Sequence, residues 1–395
     1  MRQYELASRE LDISIGMLVY AAPEAYVPGV SHRKSPDTFS VREVYLNGEE
    51  ADPSLCVDEA PTCSRGRTPI YVLCKTGVPT HEVVEAIRAS LPFVKNVGYA
   101  GLKDADAMSC QFISVKCAGE ARLPPRLEGK GFSACFTGRY GWLRRGDLLG
   151  NKFSILLEGR VEGLRDANLA TVYPNFFGYQ RFGTRRPVTH LVGKALVEGR
   201  CWDALKLIAG TPTETESLRA REARQAFMEG RYAEAARKYP RSLSLERKVA
   251  TALANGASCD EVVNHVIGRW EKTLFVEALQ SYLFNLALSR MVIDYGSLRE
   301  VARTCEVLPL PSPLVRGRDV CSEVSRRVLE EEVALVSNGF KSFWRRAVRP
   351  VYFVPSDLAI NYSGPREAVL SFFLGPSTYA SVMIREIVRD MLIFR

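Results

Sequence analysis

Residues 98–115 read GYAGLKDADAMSCQFISV and indicate a glycine-rich turn that leads into a β-strand. The turn ends at Lys103 and Asp104, and the run from Gln111 to Val115 alternates as a strand does. The neighbouring ammonium group and the backbone N–H groups of the turn would keep the Asp104 carboxylate ionised. Asp104 is therefore a candidate nucleophile or base, although an aspartate that only caps its own turn shows the same short pattern.

Residues 173–183, YPNFFGYQRFG, contain the kinds of side chain that a nucleotide-binding site requires. A stacked ring contributes about 1–3 kcal/mol per base, so one aromatic side chain could hold a flipped nucleotide. An amide and an arginine in the same segment suit contacts to a base and to a phosphate. Two adjacent phenylalanines between proline and glycine are also typical of a hydrophobic plug, and both interpretations stay open here.

The charge of the chain is moderately positive. It has 395 residues, with 53 lysines and arginines against 45 acidic residues, which gives a net charge of +8. This excess fits a polyanionic partner, because phosphate contacts supply most of the affinity that does not depend on nucleic-acid sequence. It does not require such a partner, since many soluble enzymes carry a similar charge.

The cysteines and histidines give no pattern of a metal or disulfide protein. The ten cysteines are dispersed without a C-x-x-C pair, which predicts reduced, mostly buried thiols in a cytosolic protein. The four histidines lie far apart, so a zinc site has little support. No apolar run approaches the roughly 18 residues of a membrane span, and residues 1–20 lack the apolar core of a signal peptide. We therefore predict a cytoplasmic protein that uses no metal and contacts no membrane.

The pattern of apolar residues changes along the chain. Strand signals dominate the first 185 residues, with a helix after an N-cap at Thr80. Helix patterns follow between about 188 and 345, including helical stretches at 213–239 and 260–294. Strand signals return at 351–354 and 368–374, before a final helix. The simplest account is a discontinuous catalytic domain, 1–187 and 346–395, that carries a mostly helical insertion, 188–345.

Six segments, taken together and in this order, resemble the TruD family of RNA pseudouridine synthases. They are PDTFSVRE (36–43), GLKDADAMSCQFIS (101–114), LLGNKF (148–153), PNFFGYQRFG (174–183), QSYLFNLALSR (280–290) and STYASVMIRE (377–386). The opening residues are more similar to archaeal and eukaryotic members. The resemblance implies an α+β fold, in which a central mixed, mainly antiparallel β-sheet flanked by helices forms the catalytic domain. It also implies a mostly helical inserted α/β domain, the TRUD domain.

The resemblance assigns roles to residues of the two segments described first. Asp104 aligns with the catalytic aspartate of the family, Phe177 with the ring that stacks on the target base, and Asn175 with the amide that helps to orient it. Four further residues are substrate-binding or active-site candidates on the same basis: Lys103, Glu43, Arg181 and Gln111. No metal ligand is implied.

The function implied is the isomerisation of uridine to pseudouridine in tRNA, at position 13, by a monomer that needs no cofactor. An ionised aspartate can attack C1′ or deprotonate C2′ to give a glycal-like intermediate, and the sequence leaves both routes open. The alternatives are a synthase that acts on other RNA sites, and an RNA-binding or RNA-folding protein without catalysis. A protein-interaction module built on the charged helices of 213–248 is a further possibility of another class.

Overall fold

The computed structural model describes residues 3–103, 107–183, 186–335, 338–389 and 391–392. The chain forms two compact units. The sheet unit contains Glu24–Thr171 and Val354–Phe394, and the helical unit contains Met1–Pro23 and Val172–Phe353, with Arg395. These borders differ from those of the predicted domains, because the first 23 residues and the segment after Val172 group with the helices. The predicted domain division itself stays a prediction.

The sheet unit is built on one large sheet, which has eleven strands among the described residues. Neighbouring strands are antiparallel except for two parallel pairs, Phe39–Val44 with Met108–Cys117 and Val30–Arg33 with Met391–Leu392. The predicted α+β class with a mixed, mainly antiparallel sheet is confirmed. Eight strands follow one another across the sheet in the order Arg126–Gly129, Phe132–Tyr140, Pro69–Lys75, Met108–Cys117, Phe39–Val44, Gly150–Gly159, Glu367–Leu374 and Ser356–Gly364, and Val94–Tyr99 pairs with Met108–Cys117 beside this path.

The strand Met108–Cys117 lies at the centre of this sheet and is almost wholly buried. Its apolar residues pack with the buried face of the helix Thr80–Ser90, through Val83 and Ile87. A second helix, Ala380–Val388, is buried along its whole length, as an apolar helix covering a sheet should be. No strand was predicted for Ser356–Gly364, because this edge strand is largely exposed and its polar residues hide the alternation.

The helical unit is organised by one helix of 27 residues, Arg269–Tyr295, of which the middle is buried on several faces. The predicted helix 260–294 begins later than expected, because Gly268 is its N-cap and a short capped turn precedes it. The other helices of this unit are Glu10–Ser14, Thr189–Val197, Cys201–Ala209, Leu218–Met228, Tyr232–Lys238, Ser244–Ala254, Cys259–Glu261, Leu298–Thr304 and Val320–Glu332. The predicted helical stretch 213–239 is divided, since Gly230 adopts a φ of +77° between two of them.

Short two-stranded pairings attach the irregular segments of the helical unit to one another. Tyr173–Pro174 pairs with Tyr352–Phe353, and Val307–Pro309 pairs with Val348–Pro350. Residues 348–353 therefore pair with two different segments. Residues 348–350 pair with Val307–Pro309, and residues 352–353 pair with the start of the YPNFFGYQRFG segment. Within the described part of the chain, none of the helices is both long and apolar enough for a membrane span.

The cysteines overturn one prediction from the sequence. All ten are paired in five disulfides rather than reduced: Cys56–Cys135, Cys63–Cys117, Cys74–Cys110, Cys201–Cys259 and Cys305–Cys321. The spacing of cysteines in the sequence could not show this, because the partners stand 16 to 79 residues apart and meet only through the fold. Their Cα atoms lie 4.1–6.0 Å apart, within or close to the range that a disulfide requires.

Reduction of these disulfides should lower the thermal stability of the protein. A native disulfide typically contributes about 2–4 kcal/mol by restricting the unfolded chain. We expect the melting temperature to fall by about 5 °C or more when a strong reductant breaks them, measured by calorimetry or circular dichroism. The variant Cys63→Ser/Cys117→Ser should melt lower without reductant and lose less on reduction. Ten titratable thiols in the denatured, unreduced protein would contradict the pairing.

Candidate active site

The sheet unit contains a buried ion pair beside the glycine-rich turn. Lys103 Nζ lies 2.5 Å from Glu43 Oε2, and both side chains are almost completely shielded from solvent, at 7 % and 0 % exposure. The second carboxylate oxygen, Oε1, accepts the backbone N–H of Phe112 at 3.2 Å. Burial raises the pKa of Glu43, and the charge of Lys103 and its hydrogen bond oppose that rise. Two residues predicted from separate motifs are thus brought into contact.

Three further buried polar side chains hold the backbone of residues 101–103. Gln111 donates to the carbonyl of Gly101 at 3.0 Å and accepts the Thr80 hydroxyl at 3.0 Å. The Lys103 N–H donates to Thr80 Oγ1 at 3.3 Å, and Lys75 Nζ donates to the Lys103 carbonyl at 3.0 Å. The turn is therefore fixed at its carbonyls, its amide and its lysine side chain up to the residue before Asp104.

Thr80 and Lys75 were not predicted as site residues. The sequence predicts Thr80 as a helix N-cap, but the N-cap is Pro79 and the Thr80 hydroxyl serves the turn instead. Lys75 is buried, with 2 % exposure, at the end of a strand that is otherwise apolar. A lysine in the buried phase of a strand was the available signal, because lysine is almost never fully buried without a partner. Asp104 itself lies outside the described residues.

In the helical unit, the segment 173–183 separates its two adjacent phenylalanines. Phe176 is fully buried, whereas Phe177 is only partly buried. The ring of Phe177 meets that of Phe284 edge to face, with centroids 5.5 Å apart and an interplanar angle of 87°. Phe176 is therefore the hydrophobic plug. Phe177 keeps part of its surface accessible, and its stacking role stays a prediction.

A single amide fixes the backbone of Phe177. Asn285 Oδ1 accepts the Phe177 N–H at 2.7 Å, and its Nδ2 donates to the Phe177 carbonyl and to the Ile15 carbonyl, each at 3.0 Å. Asn285 is fully buried on the long helix and belongs to the QSYLFNLALSR segment. Because a buried amide must satisfy its donors and acceptor, this arrangement fixes the orientation of the loop.

Arg349 is the second residue that holds this loop, and no motif indicated it. Its Nε donates to the Asn175 carbonyl at 2.8 Å, and its Nη2 donates to Asn175 Oδ1 at 2.7 Å. Its guanidinium lies 4.0 Å from the centroid of the Phe177 ring. Asn175 is 2 % exposed, so the predicted base-orienting amide is a buried group in contact with this arginine.

Arg181 is anchored to the long helix. Its Nε donates to Ser281 Oγ at 3.2 Å, and its Nη2 pairs with Glu277 at 2.7 Å. Asn175, Phe177 and Arg181 are thus gathered in one unit, as Glu43, Lys103 and Gln111 are in the other. Among the residues that the structure describes, no cluster of three or more histidine, cysteine, aspartate or glutamate side chains could hold a metal ion.

The family model described as tRNA pseudouridine synthase D (TruD) matches residues 14–308, about three quarters of the chain. The chain belongs to this family. Membership in the TruD family confirms the resemblance inferred from the six segments, and with it the enzyme class, pseudouridine synthase. The roles of individual residues stay predictions.

Relatives and a solved structure agree with this assignment over nearly the whole chain. A probable tRNA pseudouridine synthase D from Pyrobaculum aerophilum is 32 % identical, with 97 % of this chain and 98 % of the relative covered. The relative of the same name from Saccharolobus solfataricus is 29 % identical over the same shares. The crystal structure of a Methanosarcina mazei protein assigned to TruD has a TM-score of 0.67 at 24 % identity, covering 96 % of this chain and 98 % of that one. This last likeness concerns the fold alone.

Replacing Lys103 with methionine should destabilise the protein in a pH-dependent way. Removing one partner of a buried ion pair typically costs about 3–5 kcal/mol, because the other charge is left uncompensated. The pKa of Glu43 is already raised above its ordinary value of 4.5 in the folded state, and Lys103→Met should raise it further. The folded protein then binds the proton more tightly than the unfolded chain, so the stability lost should be small below pH 4.5 and grow as the pH rises through the folded pKa.

Urea unfolding of wild type and variant at a series of pH values measures this loss. The double variant Glu43→Gln/Lys103→Met is the control, since it has no carboxylate at position 43, so the stability of Lys103→Met relative to this control should fall as the pH rises. A loss in Lys103→Met that is equal at pH values below and above the Glu43 titration would contradict the buried-pair account.

Proposed function

We propose that this protein isomerises uridine to pseudouridine in tRNA, at position 13, with Asp104 as the nucleophile or base. Membership of the TruD family is the observation that carries this proposal. The fixed backbone of residues 101–103 supports it, because a turn held by four buried polar groups suits a reactive side chain that follows directly in sequence. A catalytic group must be held within about 0.5 Å of its productive position.

The reaction breaks the bond between N1 of uracil and C1′ and makes a bond between C5 and C1′. In one route the Asp104 carboxylate attacks C1′, and the bonding electrons leave with N1 of the base. In the other it removes the C2′ proton, and a glycal-like intermediate forms as the base departs. The base then rotates and C5 bonds to C1′. In the first route the ester bond between Asp104 and C1′ breaks as this bond forms, and in the second route Asp104 returns the proton to C2′. The proton on C5 is then lost while N1 gains one. Nothing is oxidised or passed to a second substrate, so the scheme needs no cofactor or metal.

Phe177 has the role of holding the uracil while it is detached. A base costs a few kcal/mol to take out of its stack, and a stacked ring offsets part of this cost. Asn175 orients the base, and Arg181, Gln111, Lys103 and Glu43 complete the set of substrate-binding and active-site residues in this proposal. We further propose that the enzyme is a monomer and that it is cytoplasmic. The disulfides are compatible with this compartment, because intracellular proteins of hyperthermophilic archaea and bacteria also contain them.

Tritium release from tRNA transcripts labelled at uridine C5 tests the activity. The wild type should release tritium, and Asp104→Asn should release none while its affinity for tRNA stays within about threefold, because the amide cannot act as nucleophile or base. Asp104→Glu is the matched variant that keeps the charge and should retain a trace of turnover. Salt-dependent tRNA binding without release from any transcript would favour a non-catalytic RNA-binding protein, and release from other RNAs only would favour a different target.

The stacking role of Phe177 predicts a slower reaction when the ring is removed. Phe177→Ala should lower the single-turnover rate by about tenfold or more, which corresponds to about 1.4 kcal/mol of barrier. Phe177→Tyr keeps the ring and should react much faster than Phe177→Leu, which keeps only apolar volume. Equal rates for the leucine and tyrosine variants would rule out stacking, whatever their effect relative to wild type.

A further inference from the structure

Backbone pairing places Arg349 beside the loop that carries Asn175 and Phe177. Its strand, Val348–Pro350, pairs with Val307–Pro309, and the Asn175 N–H donates to the Val351 carbonyl at 2.9 Å. The alternation of the strand turns Val348 outward, at 63 % exposure, and Arg349 inward, at 5 %. An arginine in the buried phase of a strand requires an explanation, because burial of a charged side chain is costly.

The guanidinium reaches three parts of the loop at once. It donates to the carbonyls of Asn175 and Phe176, at 2.8 and 3.3 Å, and to Asn175 Oδ1, at 2.7 Å. It also lies 4.0 Å from the centroid of the Phe177 ring, where the attraction between a cation and an aromatic face is effective. Only a planar group with several fixed donors can make these contacts together, so lysine cannot replace it.

These contacts tie two proposed substrate-binding groups to one side chain. The amide of Asn175 is oriented by a charged hydrogen bond, and the Arg349 guanidinium lies over the ring of Phe177. The Phe177 ring thus has the Arg349 guanidinium 4.0 Å and the Arg181 guanidinium 6.0 Å from its centroid, and it meets the Phe284 ring edge to face. The Asn285 amide fixes the backbone of the same residue, so ring and backbone are held from different elements.

We propose that Arg349 is a positioning residue for the isomerisation, which orients the Asn175 amide and the Phe177 ring for the flipped uridine. The inference rests on the proposed roles of Asn175 and Phe177. Arg349 acts through these two residues and not on the reacting atoms, so its loss should slow the bound reaction more than it weakens the binding of tRNA. Small misplacements of a positioning group can cost as much as about 100-fold in rate.

Kinetics of Arg349→Lys form the first test. The single-turnover rate should fall about 10- to 100-fold, whereas the dissociation constant for tRNA should stay within about threefold. The double variant Arg349→Lys/Phe177→Ala should be slower than Phe177→Ala by a smaller factor than Arg349→Lys is slower than wild type, because only the part of the effect that runs through Asn175 remains. Arg303→Lys, the same substitution at an arginine of the helical unit with 75 % exposure, should react like wild type. A rate for Arg349→Lys within twofold of wild type, or effects that multiply in the double variant, would overturn the proposal.

Chemical rescue separates positioning from general stability. Ethylguanidinium should restore the rate of Arg349→Ala at least threefold over a sodium chloride control of equal ionic strength, because it returns the missing group to its cavity. A slow Arg349→Ala that also melts at a much lower temperature and gains nothing from ethylguanidinium would assign a purely structural role and refute the inference.

Hydrogen exchange gives a readout that does not need activity. In Arg349→Lys the backbone amides of residues 175–178 should exchange faster than in wild type and in Arg303→Lys, because the loop has lost its three donors. Unchanged exchange there would refute the positioning role even in a protein without measurable turnover. Faster exchange in Arg349→Lys, together with a wild type that releases no tritium from any RNA, would support the contact of Arg349 with the loop and reject the proposed function instead.

Discussion

Buried polar side chains that hydrogen-bond to the backbone of a neighbouring segment fix the candidate site in each unit. A buried amide or carboxylate costs several kcal/mol unless its donors and acceptors are satisfied, so the segment that satisfies it is held in one conformation. Asn285 does this for Phe177, and Gln111 does it for the carbonyl of Gly101. Apolar packing alone would bury these segments without choosing their orientation, since it is not directional.

In the helical unit this constraint has a simple geometrical source. Glu277, Ser281, Asn285 and Ser289 follow one another at intervals of four residues, so they lie along one face of the long helix. The first two bind Arg181, the third binds Phe177, and Ser289 accepts the Leu18 N–H and donates to the Gly16 carbonyl. Gly16 has a φ of +82°, and a Cβ there would lie 2.8 Å from a backbone oxygen of the helix, so the close approach requires glycine. One polar stripe thus places two separate segments, 173–183 and 15–18.

The sequence predicted the parts of the site that depend on local order, and missed those that depend on pairing in space. Glu43, Lys103 and Gln111 were predicted because each stands in a recognisable segment. Glu43 and Gln111 lie on neighbouring parallel strands, and Lys103 lies in the turn before the second of these strands. Arg349 and Lys75 stand in no such segment, and only burial distinguishes them from the many surface arginines and lysines. The disulfides were missed for a related reason. The periodicity of apolar residues indicates which residues share a face of one helix or strand, but not which residues meet across a sheet. The edge strand Ser356–Gly364 was missed for a different reason. An alternating pattern arises when one face of a strand is buried, and this strand is largely exposed.

The complete pairing of the cysteines also makes the protein a convenient background for chemical labelling. Because all ten native cysteines are paired in disulfides, a cysteine introduced at an exposed position would be the single reactive thiol of the folded chain. Fluorophores, spin labels or photo-crosslinkers could then be attached at one chosen point in either unit without first removing native cysteines. Every bridge joins two residues of the same unit, three in the sheet unit and two in the helical unit, so a label in either unit leaves the disulfides of both intact.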